Sequence, residues 1–399
     1  MSLLPWRGRT NKKTFLERCR RAVLEKFPGV QIALAGELEL DIVFPSGTRN
    51  NLFLGRAYAK FCETPRDFDE IVARYLRFLA ASADSRPVDP AKLVPMIKDR
   101  VWVRSLADPS ASWIEDYNEQ LVVAYAEYDA GFHYCSLADI DKLSVSRDEL
   151  RQRALANLST LSAQRQIEQF PAARLVNVGG NFEASQILLD DFWANPQTGN
   201  PALFAVPDRD TLAISTDDSP RAVWSLAEAA ARLARSEPYP ITSLLFARRD
   251  AGPLRAIDTA ENDDSHPIPS LDVIDVNAIK RSGGADQGIV IATPLDASAR
   301  SIFRLFTKID GYLNYIASDE FRSECGPPSA ETTSIVVDIH PDSTRDIFEL
   351  LRDAEPWVLR RNARLDVRPR SSENFTVDFS FAFTVTLCAA PLPPASRTV

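Results

Sequence analysis

The chain has 399 residues, 45% hydrophobic and 25% charged, which suits two or three globular domains and excludes wholesale disorder. Its 15 glycines exclude a collagen-like chain, and its 5 cysteines (19, 62, 135, 325 and 388), with no C-x-x-C pair, argue against a disulfide framework or a zinc knuckle. The net charge of −9 hides a basic start: residues 1–26 carry +6, which leaves −15 for the remainder and disfavours broad binding of phosphate backbones.

Thr10 is a plausible N-cap for a first helix with Phe15, Leu16, Cys19, Ala22, Val23 and Phe27 at helical spacing, stopped by Pro28 and Gly29. Alternation of Val30, Ile32 and Leu34, then Leu38, Leu40 and Ile42, predicts a hairpin. Two helices follow, over 52–63 and 67–81, divided at Pro65 because the ring discourages a helical residue before it. The stretch 82–92, with Pro87 and Pro90, is a loop or linker. Residues 93–106 and 119–128 read as strands. Ser146 and Glu149 form a capping box for a helix over 147–161. Beyond the turn at Gly179, Gly180 and Asn181, a helix is expected over 183–193. Strands 203–206 and 212–215 flank the turn Pro207, Asp208, Arg209, Asp210. An Ala-rich helix over 220–235 and a strand over 241–247 complete this region.

The acidic, proline-containing stretch 259–269 reads as a linker. The pattern then restarts as β-β-α-β-α-β, with a helix striped by Ile302, Phe303, Phe306, Ile309, Leu313 and Ile316. From Phe375 to Leu387 seven apolar residues alternate with polar or small ones, predicting one strand whose apolar face must be covered by a sheet edge, in the same chain or in a second copy. The expected fold class is α+β, built from small mixed modules. These are a helix–hairpin–helices module at 1–91, an α+β domain at 92–258, a linker at 259–270, a two-layer domain at 271–370 and a strand tail at 371–399.

Four stretches, at 154–158 (ALANL), 181–189 (NFEASQILL), 205–212 (AVPDRDTL) and 240–246 (PITSLLF), resemble in order and spacing the YtpQ-like bacterial family, domain of unknown function 1444. With 93–102 (LVPMIKDRVW) and the N-terminal helix–hairpin, which are similar too, the resemblance spans roughly residues 10–258. Residues 271–368, through DVID at 272–275 and KIDGYLNYI at 308–316, are similar to a second uncharacterised bacterial domain, domain of unknown function 6572. Neither resemblance implies an activity, a cofactor or a catalytic residue.

Chemistry-bearing residues are sparse. The chain has 3 histidines and lacks a G-x-S-x-G elbow, a Walker A loop and a G-x-G-x-x-G turn. His133 and Cys135 share a face if their segment is extended, a spacing that suits a packed pair better than a metal site. A Ser–His–Asp set remains open, because triads assemble across a chain. The leading polar cluster is Asp208, Arg209 and Asp210, with Asp190 and Asp191 upstream: paired carboxylates run acid–base chemistry or hold Mg²⁺, while turns gather Asp to cap their amides. Candidate binding residues are therefore Asp208, Arg209 and Asp210, with Phe379 and Phe381 of the tail strand. No catalytic residue, metal ligand or cofactor is assigned. The expectation is a cytoplasmic, non-catalytic adaptor, regulator or neutralising protein whose partner is another protein or a second copy, without a membrane span. The alternatives are a metal-dependent hydrolase using the Asp-rich hairpin, and a nucleic-acid or membrane-surface binder acting through the basic first helix.

Overall fold

A computed structural model describes residues 12–45, 49–83, 87–106, 108–129, 131–169, 173–248, 252–370 and 384–386. Helix α1 (Lys12–Lys26) turns Phe15, Leu16, Cys19 and Val23 inward at the expected helical spacing. Strands β1 (Gln31–Gly36), β2 (Glu39–Val43) and β3 (Arg49–Phe53) form an antiparallel sheet, followed by α2 (Gly55–Glu63) and α3 (Phe68–Ala83). Phe15, Phe61 and Phe68 meet edge-on or tilted at 5.1–5.8 Å and centre this module's own core. Leu52 and Phe53, which end β3, were expected to open a helix; the strand's sequence, RNNLF, has little strand propensity, and pairing with β2 decides its conformation.

In the middle region β4 (Leu93–Asp99) ends where the Asp99 carboxylate accepts from the Trp102 amide at 2.8 Å. That N-cap starts α4 (Arg100–Ser105), so the strand expected over 93–106 is half strand and half helix. β5 (Ile114–Asp116), β6 (Leu121–Tyr128) and β7 (Phe132–Tyr134) complete a four-stranded sheet. After α5 (Leu137–Ile140) and α6 (Arg147–Leu161) come β8 (Gln166–Gln169), β9 (Arg174–Asn177), α7 (Asp190–Ala194), β10 (Leu203–Asp208), β11 (Thr211–Ser215), α8 (Pro220–Ser236), β12 (Leu245–Ala247) and β13 (Arg255–Ala256). The helix expected over 183–193 is a 3₁₀ turn and the short α7, separated by an extended Leu189. The strands form an antiparallel sheet in the order β13-β12-β10-β11-β9-β8. Strand alternation divides β10 between two cores: Phe204 and Val206 face the four-stranded sheet, whereas Leu203 and Ala205 face α8.

The last region comprises β14 (Val276–Ile279), β15 (Ala285–Ile291), α9 (Ala299–Ile316), α10 (Asp319–Cys325), β16 (Ser334–Ile339), α11 (Arg345–Leu359), β17 (Arg364–Pro369) and β18 (Thr384–Thr386). Its sheet runs β17-β16-β15-β14-β18, with β15, β16 and β17 parallel. The two crossovers through α9 and α11 give the expected β-β-α-β-α-β layering, with one added short helix. Of the tail, only β18 is described, and it pairs antiparallel with β14 of the same chain. The fold class is α+β.

The acidic segment expected as a free linker is a pinned strap. Arg300, Arg304, Lys308 and Tyr312 recur every four residues along α9, on one side of the helix. Arg304 is fully buried and donates to the carbonyls of Ala260 (2.6 Å), Ile268 (3.0 Å) and Pro269 (3.2 Å) and to Asp258 (2.8 Å). Arg300 donates to Asp258 and Asp263, and Lys308 to the Ser270 and Val273 carbonyls and to Asp275. Tyr312 donates to the Gly288 carbonyl and accepts from the Asp275 amide. The strap is polar in composition, yet the buried anchors Arg304, Lys308 and Tyr312 have their polar atoms hydrogen-bonded.

A candidate anion cleft between three helices

The structure turns the tip of the β10–β11 hairpin inward. Asp208 is buried, and one of its oxygens accepts from the Asp210 amide at 2.8 Å, the turn-capping role that Asp suits. Burial raises the Asp208 pKa against hydrogen bonds from Thr211 and the Asp210 amide, and its Oδ2 has no close hydrogen-bond partner among the described residues. The Arg209 guanidinium stacks on Tyr239 at 3.8 Å, lies 4.9 Å from Phe132 and pairs with Asp210 at 2.8 Å. Both the amide and the carbonyl of Arg209 are bonded to neighbouring segments, at Tyr239 and Ala184. Asp191 pairs with Arg165 at 3.3 Å, away from the hairpin's own contacts, and Asp190 opens α7. Phe379 and Phe381 lie outside the described residues.

A serine, a histidine and an aspartate do meet at the start of α9. His266 Nε2 is 3.2 Å from Ser301 Oγ, and Ser301 Oγ donates to Asp296 at 2.5 Å. The Ile268 amide donates to His266 Nδ1 at 3.0 Å, so the ring hydrogen sits on Nε2 and points at the serine. Hydrogen bonds therefore run from His266 to Ser301 to Asp296. A hydrolytic triad needs the reverse, with the imidazole accepting the serine proton. Burial, then Arg304 and Arg300, lower the His266 pKa, while Ser301 is 3% exposed. This network caps α9, whose N-cap Ser298 accepts from the Ser301 amide. Cys135 is buried, and burial followed by Glu127 pushes its thiol up to about 12, as expected of a packed cysteine. No group of three His, Cys, Asp or Glu among the described residues is arranged to hold a metal.

A half-open cleft lies elsewhere, where α8, α9 and α11 converge. It has a volume of about 430 Å³ and is lined by Arg232, Arg235, Arg360 and Arg361, together with Glu228, Asp310, Ser236 and Trp357. Glu228, Arg232 and Arg235 fall on one face of α8 by their spacing of four and three residues. On the other wall, α11 is stopped by Asn362, which adopts the left-handed conformation (φ 59°) and leaves Arg360 and Arg361 at the helix end. Trp357 underlies them, packed at 5.5 Å on Phe306 and edge-on at 5.7 Å on Trp224.

Two of the four guanidinium groups are already neutralised. Arg235 makes a two-point pair with Asp310 at 2.6 and 3.2 Å. Arg361 lies 3.6 Å from the same carboxylate and donates to Asn314 at 2.8 Å. Arg232 and Arg360 are exposed, and their guanidinium groups make no hydrogen bond or ion pair with the described residues. Glu228 is half-buried; burial raises its pKa, against the pull of Arg360 and Arg232. The lining carries two net positive charges on a chain of net −9, which makes the cleft a local attractor for anions. In the sequence, Arg232 and Arg235 read only as basic residues near the end of a helix, and Arg360 and Arg361 as an ordinary basic pair. Nothing local in the chain shows that the two pairs face each other. No protein-family model, no curated protein and no solved structure matches this chain.

Proposed function

We propose that the protein is a non-catalytic binding protein, an adaptor, regulator or neutraliser, whose protein partner inserts an acidic segment into the cleft between α8 and α11. The observation that carries this reading is the pair of guanidinium groups without a direct ion-pair partner among the described residues, Arg232 and Arg360, held beside two that Asp310 has fixed. Arginine forks bind carboxylates in two-point geometry, and the Asp310 pairs hold the cleft walls in place before a ligand arrives. The hydrolase alternative gains nothing from the hairpin, because Asp208 caps its own turn and Asp210 is committed to Arg209. The nucleic-acid or membrane alternative meets a first helix whose Lys12 and Arg20 are paired with Glu37 and Glu17 and whose Arg18 lies on Phe68.

The test is fluorescence anisotropy with a labelled glutamate-rich peptide of about ten residues, across a range of salt. We expect a dissociation constant on the order of 10–100 µM that weakens with salt, and at least a tenfold loss in R232E/R360E. Binding that the double substitution leaves unchanged, or no binding at low salt, overturns the reading.

A further inference from the structure

Strand β1 lies at the edge of the first sheet and is paired with β2 alone among the described strands. Its sequence, QIALAG, contains neither charge nor proline. Leu34 is 64% exposed, Ala33 and Ala35 are exposed, and Ile32 is half-buried against the module's core. Two other outer strands are blunted: β17 carries Arg364, Asp366, Arg368 and Pro369, and β8 carries Glu168. Charge and proline are how natural sheets keep an open edge from pairing. β1 has neither, and it presents its largest aliphatic side chain to solvent.

We propose that β1 pairs antiparallel with β1 of a second copy, joining two three-stranded sheets across a two-fold axis. Antiparallel self-pairing centred on Ala33 sets that residue opposite the partner's Ala33, and Ile32 opposite the partner's Leu34. Ile32 and Leu34 share a strand face, so each exposed leucine would gain a half-buried isoleucine as its cross-strand neighbour and extend the apolar face already packed on α1. A second copy fits better than a charged peptide, because the neutral strand offers no charge to select one and brings no like charges together when paired with itself. The register shift between Leu34 and Gly36 limits the regular stretch to about four residues, so the contact is small and the dimer weak. This inference is independent of the cleft.

Sedimentation velocity from about 5 to about 500 µM tests it, with micromolar dissociation expected for a small contact. The mass should rise from 44.4 kDa towards twice that value, and Leu34→Lys should hold the chain monomeric with an unchanged melting temperature, since the side chain is exposed. In a C62S background, Ala33→Cys should give a disulfide-linked dimer on mild oxidation, because directly opposed residues lie within bridging distance. A monomer throughout with no cross-link overturns the proposal. A dimer that Leu34→Lys does not affect also overturns it, as does a monomer whose β1 takes up an unrelated extended peptide.

Discussion

Replacing Arg304 with alanine removes a fully buried guanidinium that bonds three strap carbonyls and Asp258. Burial alone would raise the Asp258 carboxyl. Hydrogen bonds from Arg304, the Ala260 amide and Arg300 instead hold it below its ordinary value. The substitution leaves Asp258 with one partially exposed cation and leaves three carbonyls facing a cavity. Breaking a buried ion pair by removing one member costs about 3–5 kcal/mol. For a cooperative unit of roughly 280 residues, with an unfolding entropy of about 0.6 kcal/mol/K, that corresponds to a fall in melting temperature of about 5–9 °C. Endoproteinase Glu-C supplies a local readout, because the strap contains Glu261. Wild-type protein should resist cleavage there, and Arg304→Ala should be cut at that site before any other. Arg304→Met keeps most of the volume without the donors, so it should behave like alanine if hydrogen bonding holds the strap. A melting temperature within 2 °C of wild type for Arg304→Ala, or equal cleavage of both proteins, would refute the reasoning.

His266 links the same region to pH. Its pKa lies below the ordinary 6.5 in the folded state, so its contribution is complete above about 6.5 and is lost as the pH falls from there through the lower folded value. Urea midpoints should drop between pH 7.5 and pH 5.5, and His266→Gln should flatten that slope. Cys19 and Cys135, at about 12, and Cys325, at about 11, are raised chiefly by burial, so brief iodoacetamide treatment with peptide mapping should leave all three unmodified while alkylating the exposed Cys62. Gly284 has φ +82°, and an added Cβ would come 2.3 Å from the Thr332 carbonyl oxygen, so Gly284→Ala should cost at least about 2 kcal/mol in chemical denaturation.

Local patterns reveal this fold where one physical demand dominates, and they mislead where two compete. Ser146 with Glu149, and the α9 stripe from Ile302 to Ile316, are unambiguous because capping chemistry and helical spacing agree. The same α9 stripe drew attention away from Arg304, Lys308 and Tyr312, which are as deeply buried as the apolar residues beside them. Buried cations have no sequence signature of their own, since their partners are strap carbonyls that any residue supplies. That is why 259–269 read as a free linker. β3 and α4 were obscured differently: sheet pairing overrode weak propensity in one, and the Asp99 cap cut an apolar run in the other. The Asp208 turn was legible as a turn, but not its inward orientation, which depends on Phe132 and Tyr239 from distant segments. The cleft was invisible for the same reason, because α8 and α11 lie more than a hundred residues apart.

Helix α8 explains why the strap and the cleft belong to one design. It follows β11 in sequence, yet Val223, Trp224, Leu226, Ala227, Ala230 and Ala231 belong to the same core as the α9 and α11 residues Phe306, Leu350 and Trp357. The middle and last regions are thus one cooperative body, and cutting the chain at 259–270 would expose this core rather than release two finished domains. Arg235 reaches from α8 to Asp310 on α9, while Arg360 and Arg361 reach in from the end of α11. The four guanidinium groups therefore converge only while this three-helix junction is intact. Any anion bridging α8 and α11 binds the folded chain and not the unfolded one, and adds about 2.7 kcal/mol of stability at a hundredfold excess over its dissociation constant. Cleft and strap thus rest on the same helix: α9 carries Asp310 on one face and Arg304 on another.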